Sequence, residues 1–303
     1  MTIDLSPGTC FGFAVRSSLP FHYLRTGAGQ PLEVSAPAVA PQGDAGELLF
    51  EWAPSSRFPL AGRLIRADPG FRLWVDTWGW FLVDPGAPRV TLPETLNIVR
   101  REERLWSIPA ILCFLARGDA ALHAAAVEVD GKAVVLAAPG SFGKTTLAAA
   151  FHSAGYRLLS EDTTCIRTQD PPLVVPGPAM LRLRHDVAAQ LEVPNATPVG
   201  NIEDDRVHLA LDAAVRGDGS PVALGAVVLL RQAHHGLRIE RVASAQAVRD
   251  LWSLSFRLPT DDDRARCFAA VADLARAIPV WNLYRPLTMR DLPATVDFVA
   301  RHA

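Results

Sequence analysis

The run Ala138-Pro139-Gly140-Ser141-Phe142-Gly143-Lys144-Thr145, followed by Thr146, holds the residue types that bind phosphate. A phosphate loop reads glycine, four free residues, then Gly-Lys-Thr or Gly-Lys-Ser. Ala138 stands at the first glycine position, a small residue that trims backbone freedom without closing the loop. Gly140 and Gly143 let the backbone curl until its N–H groups converge on a β-phosphate. Lys144 is placed to reach β and γ oxygens, and the Thr145 hydroxyl to ligate magnesium. Thr146 caps or packs. Phe142 is bulky for a loop tip and either lies over the nucleotide or packs on the neighbouring domain. Residues 138–146 thus form a candidate ATP site with Mg2+ as its companion ion.

Seventeen and eighteen residues after Lys144 come Glu161 and Asp162, directly after Ser160. In a parallel sheet, one helix and one strand after the loop, both carboxylates reach the carboxyl edge of the strands, where the loop also sits. Adjacent acids there can divide labour: one holds magnesium, the other orients or deprotonates an attacking hydroxyl. His123 opens the strand before the loop. Taken alone it reads as a structural histidine, and whether it shares the edge depends on how the intervening hairpin folds.

The elements that must position these residues follow from periodicity and punctuation. Residues 133–137 are an apolar strand leading into the loop, and 145–154 a helix leaving it, with Gly155 suited to its C′ position. Residues 124–129 are a strand joined to 133–137 by the Asp130-Gly131 hairpin signal. Residues 156–159 are a further strand, and 223–230 a strand apolar on both faces. Residues 181–183 are a short strand, 186–191 helical, and 237–242 alternate. Ser244 is expected to cap one helix and Thr260 another, with Asp263 as its reciprocal acid. The run Asp261, Asp262, Asp263 then complements a helix dipole rather than a metal. A strand at 280–284 and a helix at 292–300 end the sequence.

The first hundred residues read as β-rich. Strand-like runs at 47–52, 60–66, 71–76 and 80–83 are separated by Asp68-Pro69-Gly70 and Asp84-Pro85-Gly86. Residues 35–46, rich in Ala, Pro and Gly, predict an exposed loop and the first site of proteolytic cleavage. Trp52, Trp74, Trp78 and Trp80 read as core and sheet-edge packing in preference to a ligand platform. Leu105, Ile108, Ile111, Leu112 and Leu115 fall at helical spacing, predicting one helix over 105–117 ended by Gly118 and Asp119. The resulting division is a small β-rich domain, 1–104, and an α/β domain, 105–303.

Composition narrows the function. The formal charge is -2, and Arg182, Arg184 and Arg206 are scattered rather than massed. Nucleic acid is therefore not an expected partner, though some of these arginines can face phosphates or a peptide carboxylate. Cys10, Cys113, Cys165 and Cys267 form no Cys-x-x-Cys pair, which fits buried thiols. The apolar runs 108–116, 133–138 and 222–230 fall short of the roughly 20 residues that span a bilayer. The first ten residues contain Asp4 and no Lys or Arg, unlike a secretory signal. A cytoplasmic protein without integral membrane contact is expected; peripheral membrane contact and homo-oligomerisation stay open.

The order histidine, glycine-rich loop, helix, then a strand ending in two acids resembles the HPr kinase/phosphorylase family. It resembles more closely the HPr-kinase-like proteins of peptide (lasso-type) biosynthetic clusters, which also carry a small N-terminal domain. The likeness covers residues 122–167 and weakens toward 284. It implies a P-loop, PEP-carboxykinase-like catalytic fold. It also implies His123 beside the reacting phosphate, Lys144 on the phosphates, Glu161 as base and Asp162 with Thr145 on magnesium. Ala138 and Ser141 replace family glycines, Glu161 replaces an aspartate, and no Arg-Gly-Leu-Gly segment follows. That last departure argues against HPr as substrate and against phosphorolysis. The implied activity is transfer of the ATP γ-phosphoryl group to a hydroxyl acceptor, such as a Ser or Thr of a precursor peptide. Nucleotidyl transfer, or a non-catalytic ATP-dependent switch or peptide-binding protein, are the alternatives.

Overall fold

The structure, a computed structural model of the chain, describes residues 8–36, 46–55, 59–93, 98–200 and 206–303. Residues 37–45, most of the expected exposed loop, lie outside them. The N-terminal strands are β1 (Gly8–Cys10), β2 (Phe13–Arg16), β3 (Arg25–Thr26), β4 (Gln30–Ser35), β5 (Glu47–Trp52), β6 (Gly62–Ala67), β7 (Gly70–Val75), β8 (Gly79–Asp84) and β9 (Arg89–Thr91). They form one sheet in the order β3-β1-β2-β4-β9-β8-β7-β6-β5. Alternation sends Leu64, Leu73, Phe81 and Val83 to the buried face. The Asp84 carboxylate accepts from Gly86 N (3.1 Å) and Ala87 N (3.2 Å), which makes the turn after β8. Trp78 is buried, Trp52 packs against the same core, and the Arg63 guanidinium lies 5.4 Å from the rings of both Trp74 and Trp80.

The single helix expected over 105–117 is two: α1 (Ile98–Leu105) and α2 (Ile108–Ala116). Pro109 sits in the first turn of α2, and Ser107 before it leaves helical geometry, its hydroxyl donating to Arg104 O at 2.7 Å. Proline restricts the residue before it and supplies no N–H, so a continuous helix is interrupted there. α2 buries Ile111, Leu112 and Phe114 against the N-terminal sheet.

The second half is built on a central sheet. Its strands are β10 (Ala120–Leu122), β11 (Ala124–Val129), β12 (Lys132–Ala137), β13 (Arg157–Ser160), β14 (Thr164–Arg167) and β15 (Leu173–Val175). Next come β16 (Met180–Arg184), β17 (Ala196–Pro198), β18 (Arg206–Leu211), β19 (Val222–Gln232), β20 (Arg238–Arg241) and β21 (Val280–Arg285). β11 and β12 are an antiparallel hairpin whose Asp130 and Gly131 have φ of 48° and 75°, the left-handed pair that a two-residue turn matching strand twist requires. β12 pairs parallel with β19, and β19 parallel with β21. β13 pairs antiparallel with β11, so it runs in the direction of β12 with β11 between them. That differs from a simple parallel neighbour, yet it delivers the ends of β12 and β13 and the start of β11 to one edge.

Helices cover both faces. α3 (Lys144–Ser153) and α8 (Leu292–His302) bury Leu147, Phe151, Val296 and Val299 against Val127, Leu136 and Val228. α6 (Ser244–Leu254) and α7 (Asp261–Ala277) bury Leu251 and Leu274 against Val135 and Leu229. α4 (His185–Ala188), α5 (Ala213–Arg216) and the sheet β16-β18-β17 complete the α3 side. Each central strand therefore alternates between two cores, and β19 is apolar from Val222 to Leu230, where both of its faces are covered, before it ends in Arg231 and Gln232. α3 ends where Gly155 (φ 92°) donates to His152 O and Tyr156 N to Phe151 O, the paired bonds of a left-handed C-cap. Thr260 accepts from Asp263 N and caps α7. Ser244 caps nothing: Ala243 holds the N-cap position and Ser244 begins α6. Among the described residues no helix is long and apolar enough to cross a membrane.

Candidate functional site

The glycine-rich loop joins β12 to α3. Ser141 (φ 71°) and Gly143 (φ 73°) both take left-handed conformations, and Gly143 is the N-cap residue of α3. The loop thereby folds over the positive end of a ten-residue helix. Lys144 Nζ donates to Ala138 O at 2.9 Å and Pro139 O at 3.4 Å, so its ammonium folds over the loop that supplies it. The side chain is buried at 6% exposure. Burial draws its pKa below the ordinary value, against the opposing pull of Asp162 and Glu161. Phe142 packs against the core shared by α3 and α8, within its own half of the chain.

Glu161 and Asp162 follow β13 where local hydrogen bonds end the strand. The Thr164 hydroxyl donates to Ala124 O at 2.9 Å, and Ser160 Oγ donates to Thr164 Oγ1 at 2.7 Å. Both side chains are fully buried, so the turn at 161–163 is tied to the start of β11 beside His123. The two carboxylates then diverge. Thr145 Oγ1 donates to Glu161 Oε1 at 2.7 Å, and Glu161 is 2% exposed. Asp162 Oδ1 meets His123 Nε2 at 3.2 Å, and its side chain is 43% exposed. The expected placement set Asp162 opposite Thr145 and Glu161 toward an acceptor. In the structure Glu161, not Asp162, contacts Thr145: the longer acid turns inward under the loop and the shorter one stays half exposed beside His123.

Arg182, on β16, holds this cluster together. Its Nε donates to Glu161 Oε2 at 3.0 Å, its Nη2 lies 3.2 Å from Asp162 Oδ2, and its Nη1 bonds Glu103 of α1. Arg206 Nη1 donates to Arg182 O at 3.2 Å. In the sequence Arg182 reads as a scattered cation able to face phosphates or a peptide carboxylate, and its partner Glu103, 79 residues upstream, carries no signal. Glu102, beside Glu103, accepts from Tyr23 N at 2.9 Å, and Arg25 Nη2 donates to Leu158 O at 2.8 Å. The N-terminal half thus fastens the strand that ends in Glu161.

The charges shift each other in opposite directions. Burial pushes Glu161 above the ordinary carboxylate range, with Arg182 opposing and Asp162 reinforcing it. Burial also pushes Asp162 upward, but the His123 hydrogen bond and Arg182 outweigh it and hold the carboxyl well below its ordinary value. The downward direction accords with a half-exposed side chain touched by two donors. For Glu103, burial is likewise outweighed, by Arg182, Arg104 and His208, and its pKa is lowered.

Arg182→Met is expected to cost about 3–5 kcal/mol near neutral pH, because it leaves Glu161 and Glu103 as buried charges without their main counter-ion. Carboxyls held below their ordinary value stabilise the fold above that value and lose this contribution as pH falls through the lowered one. The deficit of Arg182→Met should therefore shrink as the solution is acidified, because the orphaned acids take up protons once Arg182 no longer holds them ionised. Urea unfolding of both proteins across pH tests it; a deficit independent of pH would contradict the assigned network.

The Thr145 hydroxyl and the Glu161 carboxylate are hard oxygen donors in contact, the set Mg2+ takes when nucleotide phosphates supply the remaining ligands. Among the described residues no group of three or more His, Cys, Asp or Glu converges on a metal position. A dedicated protein cage is not what this geometry offers.

The fold and site define a mixed α/β chain in which a glycine-rich loop, two acids and a histidine share the carboxyl edge of one sheet. No protein-family model matches the chain, and no curated protein matches it in sequence. Among solved structures, the Hpr(Ser) kinase/phosphatase from Coxiella burnetii is similar with a TM-score of 0.34 and 10% sequence identity, over 60% of this chain and 95% of that one. That likeness is weak and distant, and the chemistry below rests on the site's own residues.

Proposed function

We propose that the chain is an ATP-dependent phosphotransferase that moves the γ-phosphoryl group of ATP to a hydroxyl acceptor. The observation that carries this reading is the Thr145–Glu161 bond of 2.7 Å beneath the loop, with the Asp162–His123 pair beside it at 3.2 Å. In this reading the backbone N–H groups of residues 140–146 and the amino end of α3 cradle the phosphates. Lys144 leaves the carbonyls of Ala138 and Pro139 for the β and γ oxygens, which return a counter-charge to a buried ammonium.

Thr145 and Glu161 would hold Mg2+, in place of the Thr145 and Asp162 pair expected from the resemblance. When bound, Mg2+ would supply Lewis-acid charge neutralisation for the nucleotide phosphates. Asp162 and His123 face the acceptor. The hydroxyl oxygen forms a bond to the γ-phosphorus, the bond to the β-bridging oxygen breaks, and ADP leaves. The single hydroxyl proton is taken up by the hydrogen-bonded Asp162–His123 pair. A carboxylate of lowered pKa is a weak base, but a loose phosphoryl-transfer transition state asks more for orientation than for base strength. Arg182 keeps both carboxylates in place and partly neutralises them.

The resemblance to peptide-cluster kinases nominates a seryl or threonyl hydroxyl of a precursor peptide as acceptor. Incubation with Mg2+ and γ-labelled ATP against candidate peptides and alcohols tests the reading, with acceptor mass and nucleotide product both read. One added phosphate and equimolar ADP are expected. Release of pyrophosphate with transfer of a nucleotidyl group would replace this reaction class, and ATP binding with no modified acceptor would leave a switch.

A further inference from the structure

The phosphate-binding loop has a feature behind it that none of the residues discussed so far explains. Arg285, the last residue of β21, is 2% exposed. Its backbone is fixed in register opposite Gln232 of β19, and Ala233 N donates to its carbonyl at 2.8 Å. The guanidinium meets no carboxylate among the described residues. Its Nη2 donates to Phe142 O at 3.0 Å and Gly143 O at 3.3 Å, and its Nη1 to Pro286 O at 3.4 Å. Its Nε is buried without a partner among the described residues. Burial alone draws its pKa down to about 10. A buried cation held only by carbonyls is costly unless its charge serves something nearby.

The two carbonyls identify what it serves. The carbonyl of Phe142 belongs to the peptide group that carries Gly143 N–H, and the carbonyl of Gly143 to the one that carries Lys144 N–H. Those N–H groups lie on the opposite side of their peptide planes from the carbonyls. A cation on the carbonyl oxygens draws electron density away from the N–H ends, and two bonds from one planar guanidinium fix both planes together. The space confirms the fit: a Cβ on Gly143 would fall 2.7 Å from Arg285 Nη2. Gly143 is therefore required twice, for its φ of 73° and for room for the guanidinium.

We propose that Arg285 is a positioning residue for the phosphate-binding loop, acting through the Phe142–Gly143 and Gly143–Lys144 peptide groups to aim and polarise the N–H donors that meet the β-phosphate of the nucleotide. This rests on the phosphotransferase reading above. It distinguishes Arg285 from Arg182, which acts on the carboxylates.

The test uses the full chain with Mg2+, and three probes measured by calorimetry: ADP, inorganic pyrophosphate and AMP. Charge-assisted aiming of two donors is expected to be worth about tenfold to a hundredfold in affinity. Arg285→Gln should weaken ADP and pyrophosphate binding by that factor and change AMP binding less than about threefold, since AMP has no β-phosphate. Arg285→Lys keeps the charge but not the fork, and should recover part of the loss. Amide spectra should show the Gly143 and Lys144 resonances shifting on pyrophosphate addition in the parent and less in Arg285→Gln. Should Arg285→Gln fail to fold, Arg285→Lys carries the comparison, with thermal unfolding recorded for both. A purely structural arginine predicts equal weakening of all three probes, or lower thermal stability with unchanged pyrophosphate affinity; either result overturns the proposal. If the parent binds neither ADP nor pyrophosphate, the phosphotransferase reading fails first. If the parent binds both and Lys144→Ala loses them while Arg285→Gln does not, only the role of Arg285 is lost.

Discussion

Lys144→Ala is expected to abolish phosphoryl transfer while the fold survives. Lys144 is 6% exposed, and among the described residues its ammonium bonds only Ala138 O and Pro139 O, two carbonyls of its own loop. Burial already draws its pKa below the ordinary value, so the folded chain holds a charge poorly served by its surroundings. Phosphate oxygens serve it better, and that difference is available for binding and for the transition state, where charge on the bridging oxygen grows. Its removal should cost about a thousandfold or more in turnover, the scale of a preorganised donor lost from a transition state of high charge. Stability should change little, because the lost bond to the buried Ala138 carbonyl is offset by removal of a buried ammonium that its surroundings serve poorly. Single-turnover rates, ADP titration and thermal unfolding check these three statements together. Lys144→Arg should not rescue, since a planar fork cannot replace a compact ammonium between the loop and the phosphates. Turnover within about threefold of the parent in Lys144→Ala would remove the loop from the chemistry.

The second large effect separates the adjacent acids. Asp162→Asn should lower the rate of the chemical step by about 10²–10⁴-fold and leave MgADP affinity within a few-fold. The reason is position: Asp162 sits half exposed against His123, away from Thr145. His123→Asn should act in the same direction and add little to Asp162→Asn, as expected for two residues working as a unit. Glu161→Gln should fail differently. It is buried on the Thr145 hydroxyl, so it should raise the magnesium requirement about tenfold to a hundredfold and weaken metal-dependent nucleotide binding. Titrating magnesium and ATP for each variant, beside single-turnover rates, reads both patterns. The reverse outcome, with the metal defect in Asp162→Asn and the chemical defect in Glu161→Gln, would restore the assignment implied by the family resemblance. Equal metal defects in both would indicate a shared metal site.

The parts of this protein that local chemistry specifies were readable without any structure. Asp130-Gly131 demanded a tight hairpin, and the φ values of 48° and 75° are what that pair supplies. Gly155 stopped α3, Thr260 capped α7, and an unbroken apolar run at 223–230 required a strand covered on both faces. Each depends on neighbours a few residues away, where sequence distance and spatial distance coincide. The glycine-rich loop belongs to the same class, since its residue types alone state what it can bind. Pro109 is a local signal of the same kind: helical periodicity runs through it, yet the proline in the first turn of α2 marks the break from α1.

Tertiary structure decided which side chains meet. Glu161 and Asp162 are consecutive, so nothing in their order says which one turns beneath Thr145. The Ser160–Thr164–Ala124 hydrogen bonds end the strand and set that direction. Glu103, Arg182 and Arg285 lie far apart in the chain and read as solvated charges, because a polar residue on a short strand or helix looks the same whether its partner is water or a buried ion. They become part of the site only when α1, β16 and β21 are packed around one sheet edge. The physical reason is that charge pairing depends on distances of a few ångströms between segments remote in sequence, and only the packed fold fixes those distances.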